Sequence, residues 1–159
     1  MNTRTKTAII VRPAEGPAVR WGPAGTIRIV AGADSTDGSF SLVEATEEPG
    51  SAAPLHVHHG EAEAFYVVEG TIELTCGDQK LTAGVGDFVY TPKDVPHSYT
   101  VVGERSARVL LLFSRPGFEQ FFVEAGAPVD QPPAGPPDPK RMKQLIEKYE
   151  MELLEPFGH

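Results

Sequence analysis

An all-β sandwich or barrel is what this sequence predicts, on two observations: short β-forming runs recur at regular intervals, and turn residues separate them. The runs cover residues 27–31, 40–46, 64–68, 71–75, 88–91, 98–102 and 107–113. Gly (16) and Pro (15) are abundant for 159 residues and fall mostly between the runs, which suits many tight turns better than long helices.

Taken in order, the turns agree with the runs. Glu69-Gly70 divides 64–68 from 71–75 as a hairpin would, Cys76-Gly77-Asp78 follows as the next turn, and Gly84-Val85-Gly86 precedes 88–91. After Phe113 the character changes. Phe118, Phe121, Phe122 and Ala125 fall at helical spacing with Gly126 as a C-terminal cap, so a short helix is expected, packed on the barrel by its aromatic stripe. Residues 128–139 form a proline-rich connector. Asp138-Pro139 then supplies an N-cap and a first-turn proline for a last, amphipathic helix carrying Leu145, Ile146 and Tyr149, a surface available to a second subunit. The expected division is therefore 1–127, a barrel with N-terminal strands and a flanking helix, and 128–159, connector and C-terminal helix.

Bulk properties narrow the function. A chain of 17.1 kDa that is 40% apolar supplies one packed core. Its net charge of −8 and pI near 5.1 disfavour phosphate backbones and anionic lipid, so neither nucleic acid nor membrane is an expected partner. The apolar run 8–11 is too short for a secretion signal, and the single cysteine forms no internal disulfide; a reducing cytoplasm is the expected location. Phosphate loops and nucleophilic serine elbows are not found in the sequence.

The informative stretch is 54–70, PLHVHHGEAEAFYVVEG. On an extended strand residues two apart share a face, so His56 and His58 can both point into a barrel while Val57 points away. A carboxylate past a turn at Gly60 can return to the same point, and His97 can close the set from a later strand. Nitrogen and oxygen donors without thiolate suit one divalent transition metal ion: Fe, Ni, Mn, Co, Zn or Cu. Four ligands leave two octahedral positions open to substrate, water or dioxygen. Tyr99 and Val101 share parity with His97, as Phe65 and Val67 do with Glu63. They either line a cavity beside the ion or belong to ordinary barrel core, and the first reading makes Phe65 and Tyr99 candidate substrate-binding residues. An aromatic, apolar cavity suits a flat phenolic molecule better than a sugar or nucleotide.

These residues resemble the cupins, a family of jelly-roll β-barrels. Its first motif appears as Gly50, five residues, His56-x-His58, four residues, Glu63, six residues, Gly70. The second appears as Gly86, five residues, Pro92-Lys93-Asp94, two residues, His97, with Asp94 where the family has glycine and Val101 where it has asparagine. Asp tolerates a left-handed backbone, so the turn at Asp94 is expected to survive. The fifteen residues between Gly70 and Gly86 match small bacterial cupins. The resemblance implies His56, His58, Glu63 and His97 as metal ligands. Glu61, which shares parity with Glu63, does not fit the motif and is assigned to the turn. His59 is expected to be exposed or behind the ligands, His159 to be a free terminus, and Cys76 to be an inert thiol in its turn.

Among cupins the pattern is most similar to quercetinase-like and polyketide-pathway monocupins. It implies a metal-dependent dioxygenase acting on a small aromatic substrate, flavonol-like or polyketide-like, with Glu63 as ligand and general base and dioxygen as co-substrate. Two alternatives stand beside it: a non-redox metal-dependent cyclase or isomerase, and a binding module without turnover. A homodimer is the expected assembly.

Overall fold

A computed structural model of the chain describes residues 7–13, 15–131 and 138–156. Residues 132–137 of the proline-rich connector, and His159, lie outside the described residues. Among the described residues ten strands precede the first helix: β1 (Ala18–Trp21), β2 (Gly25–Ala31), β3 (Ser41–Glu47), β4 (Ala52–His58), β5 (Glu63–Glu69), β6 (Thr71–Cys76), β7 (Gln79–Ala83), β8 (Phe88–Thr91), β9 (His97–Val102) and β10 (Ala107–Phe113). Then come α1 (Glu119–Ala125), β11 (Ala127–Pro128), α2 (Pro139–Lys148) and β12 (Met151–Leu153).

The strands form two antiparallel sheets, ordered β11-β1-β2-β3-β10-β5-β8 and β12-β4-β9-β6-β7, the jelly-roll barrel. Period-two alternation builds its interior. β3 turns Ser41, Val43, Ala45 and Glu47 inward, and β10 answers with Phe113, Leu111, Val109 and Ala107 in register. From the other sheet come Ile72 and Leu74 of β6 and Tyr99 and Val101 of β9. Val43, Val67 and Ile72 have no exposed surface, so the barrel is filled by side chains and is not a tube.

Each of the seven predicted runs lies on a strand. Those not read as runs lack the signal for a reason. β1 and β12 are short, and β7 is exposed at four of its five positions, so no apolar alternation marks it; pairing with β6 makes it a strand. The tail belongs to the barrel: β12 pairs with β4, Met151 opposite His58 and Leu153 opposite His56.

Phe118, Phe121 and Phe122 are buried as the stripe requires, Phe118 standing at the N-cap of α1. Gly126 caps α1 but with an extended backbone; glycine is needed because a Cβ there would stand 2.7 Å from Val19 side-chain atoms. Asp138 caps α2 by accepting from Lys140 N at 3.1 Å. The apolar side of α2, Met142, Leu145 and Ile146, together with Tyr149, is covered within the chain, Tyr149 packing edge-on to Phe118 and Phe121. Cys76 corrects the sequence reading: it is the last residue of β6, buried opposite His97, and the turn is Gly77-Asp78. Asp94 sits in the left-handed region at φ 66, as expected of the residue replacing glycine. No helix among the described residues is long and apolar enough to cross a membrane.

Candidate metal centre

Register brings the four sequence-predicted ligands together. His56 and His58 project inward from the end of β4, His97 opens β9 directly opposite His56, and Glu63 opens β5 between Phe113 and Thr91. All four are buried, and their candidate ligand atoms lie within 4.8 Å of one another. Thr91 Oγ1 donates to Glu63 O at 3.0 Å and fixes the start of β5.

Hydrogen bonds on the outer side of each ring set the inner side. His56 Nδ1 is 2.6 Å from Pro54 O, and His97 Nδ1 is 3.0 Å from Val95 O. Carbonyls only accept, so these nitrogens carry the ring protons. His58 Nδ1 faces a carboxylate instead, Glu61 Oε1 at 2.7 Å. Every Nε2 therefore turns inward: His56 to His58 at 3.1 Å, His97 to Glu63 Oε2 at 2.9 Å and His58 to the same oxygen at 3.2 Å. Acceptors crowded this closely, with little water, need a proton or a cation between them. Three imidazole nitrogens and one carboxylate suit a divalent first-row ion, so the residues fit the metal that the motif implies.

Without an ion, protons take its place. Burial disfavours charge on His58, but the Glu61 and Glu63 carboxylates more than reverse this and lift its pKa to about 9. Burial, then the neighbouring His97, lowers His56 to about 4. Burial also opposes ionisation of Glu63, yet its contacts with the His58 and His97 rings hold its carboxyl well below the usual range.

Aromatic rings roof the cluster. Phe118 meets the His58 ring edge-on at 5.0 Å, Phe113 lies 5.8 Å from it, and Phe121, Phe122 and Tyr149 continue the layer outward. Beneath it Phe65 and Tyr99 lie in the packed core, with ring centroids 5.7 Å apart. Tyr99 donates to Glu47 Oε2 at 2.6 Å, a second buried polar pair. Burial raises the pKa of the Glu47 carboxyl, and raises that of the Tyr99 phenol with help from the facing carboxylate.

His59 is exposed, between Asp94 at 2.8 Å and Glu152 at 3.1 Å, outside the cluster. Glu61 lies in the turn between β4 and β5, as read, and outside the ligand cluster; it is fully buried behind His58, with Arg115 Nε 3.1 Å from its Oε2. Its parity with Glu63 was the available signal. Arg115 and Glu47 had none, because their partners are distant in sequence, and the stripe of Phe118, Phe121 and Phe122 signalled its burial but not its place against His58.

Residues 43–113 match the family described as Cupin domain. The quercetin 2,3-dioxygenase of Bacillus subtilis is 32% identical over 136 residues, 81% of this chain and 39% of that protein. An uncharacterised protein of Methanocaldococcus jannaschii is 33% identical over 70 residues, 44% of this chain and 56% of its own. Among solved structures, the oxalate decarboxylase of B. subtilis, described with Mn(II) centres, superposes with TM-score 0.57 and 28% identity over 64% of this chain and 28% of its own. A predicted oxalate decarboxylase of Thermotoga maritima gives TM-score 0.62 at 20% identity, covering 67% of this chain and 99% of its own. The chain thus spans about two fifths of the dioxygenase and about a quarter of the B. subtilis decarboxylase.

Proposed function

The chain carries a cupin domain over residues 43–113, and on that premise we propose that it is a metal-dependent dioxygenase acting on a small aromatic, phenolic substrate. The observation that carries the reading is a three-histidine, one-carboxylate cluster under an aromatic roof. His56, His58, Glu63 and His97 would hold the ion. A bound divalent transition metal supplies Lewis acidity toward a substrate oxygen and an electronic route to dioxygen. The likeness to a quercetin 2,3-dioxygenase supports the choice of reaction.

The chain's own residues have separate tasks. Glu63 Oε2, already shared between His58 and His97, is the acceptor placed to take the proton of a substrate hydroxyl. Phe113 and Phe118, packed on each other beside His58, exclude water from the cluster. Phe65 and Tyr99 close the floor, Tyr99 held in place by Glu47. The structural likeness to oxalate decarboxylase favours a second substrate class, a small dicarboxylate. An apolar roof offers a dianion no compensating charge, which ranks that class below the phenol.

An oxygen electrode tests the reading. Flavonols and polyketide phenols are screened with protein of measured metal content, and substrate loss should consume dioxygen in step and stop under anaerobic conditions. Glu63→Gln should lose turnover by about a hundredfold or more beyond any loss of metal. Conversion that continues without oxygen would replace the dioxygenase by a cyclase or isomerase, and tight binding with no conversion by any metal form would leave a binding module.

A further inference from the structure

His58 is held differently from its two companions. His56 and His97 each rest Nδ1 on the carbonyl two residues earlier in the chain, so the backbone itself aims them. The acceptor for His58 is the side chain of Glu61, 1% exposed and aimed only as well as its own surroundings allow. Those surroundings are built. Arg115 Nε stands 3.1 Å from Glu61 Oε2, an oxygen that makes no hydrogen bond and is held by charge alone. The guanidinium continues to the Glu150 carboxylate and donates from Nη2 to Tyr149 O at 3.1 Å. Gly60 leaves the space: a Cβ there would collide with Arg115 Nη1 and stand 3.0 Å from Glu150 Oε2. Behind the guanidinium, Glu150 O accepts from His59 N at 2.9 Å, and β12 starts at the next residue, alongside the ligand strand.

We propose that Glu61 is a positioning residue for the metal ligand His58, and that Arg115 ties it to Tyr149 and Glu150, so that the segment leading into β12 helps set how tightly the centre holds its ion. The proposal rests on the metal-centre reading and deepens it. A carboxylate on Nδ1 fixes the ring's orientation, keeps the lone pair on Nε2 and makes that nitrogen a stronger donor; losing such a partner typically weakens metal binding by about 10–100-fold. Arg115 gives the buried carboxylate an opposite charge to face and stops it turning away from the ring.

The test is Co2+ affinity, measured by competition with a chromophoric chelator on the full chain, with the visible spectrum of the bound Co2+ as a second readout. Glu61→Ala should weaken binding by about 10–100-fold and alter the spectrum, while Glu61→Gln, which keeps an acceptor without the charge, should fall between it and wild type. Glu150→Gln changes an exposed side chain, leaves the barrel folded and should weaken binding by a smaller factor. Glu61→Ala with wild-type affinity and spectrum would overturn the positioning role, and Glu150→Gln with wild-type affinity would overturn the link to the tail. Wild-type protein that takes up no Co2+ would overturn the metal-centre reading and this proposal with it, whereas wild-type uptake with indifferent variants would overturn the proposal alone.

Discussion

At the mouth of the barrel His56, His58, Glu63 and His97 turn four acceptors toward one point, whereas two residues further along β9 Tyr99 meets Glu47 in a pair complete in itself. Both clusters are buried, both mix charge with aromatic neighbours, and both shift the pKa of their members. Only the first turns several acceptors on one another with no donor side chain among the described residues facing them. The difference teaches that burial and perturbed ionisation do not by themselves mark a metal centre; convergence of unsatisfied acceptors does.

The largest effect should come from breaking the convergent cluster. His97→Ala should lower metal affinity by more than about a hundredfold, beyond what loss of an outer partner costs, while Tyr99→Phe leaves metal content unchanged. Elemental analysis after dialysis reads both, and a fully loaded His97→Ala protein would show that the ligand set is wrong.

Acidity separates the clusters next. Because His58 holds a proton up to about pH 9, metal uptake must displace it, and apparent affinity should climb by about tenfold per pH unit through neutrality before levelling near 9. Chelator-treated protein should behave in the opposite sense. The His58 pKa is raised above its ordinary 6.5, so its stabilising contribution is complete below 6.5 and is lost as pH rises toward 9. His56, lowered to about 4, costs stability below 6.5, which puts the maximum near that value. Thermal unfolding at a series of pH values checks this; an alkaline decline equal in metal-loaded protein would refute it.

The self-contained pair gives a smaller effect of a different kind. Tyr99→Phe strands a buried carboxylate and should cost about 1–3 kcal/mol in denaturant unfolding, and the double variant Glu47→Leu, Tyr99→Phe should recover most of that, because removing both partners leaves nothing unsatisfied. A double variant no more stable than the single one would mean that Glu47 has another partner. Least affected should be His59→Ala: His59 shares the sequence neighbourhood of the ligands but faces Asp94 and Glu152 in solvent, and its loss should leave the ion in place.

Legibility followed locality. The His56-x-His58 spacing, Glu63 past its turn and the second motif ending on His97 are short-range patterns, and strand parity translated them into one cluster. The same parity named Phe65 and Tyr99 as inward-facing. Glu61 was rightly placed in the turn, but its burial behind His58 was not legible, since Arg115, far along the chain, is what covers it. Cys76 was displaced by one position because Gly77, at φ 56, and Asp78 suffice for the turn. β12 carries no pattern of its own and exists through its pairing with β4.

That pairing also sets an order in time. His59 and Glu152, joined across it, lie 93 residues apart, a separation that synthesis at roughly 5–20 residues per second crosses in about 5–20 seconds. Throughout that interval the strand bearing His56 and His58 has emerged with one edge unpaired, the state in which a nascent β-strand is most open to wrong partners. Tyr149 and β12 arrive after all four ligands and close that edge beside Arg115, so the surroundings of the centre are completed only once β12 has been made.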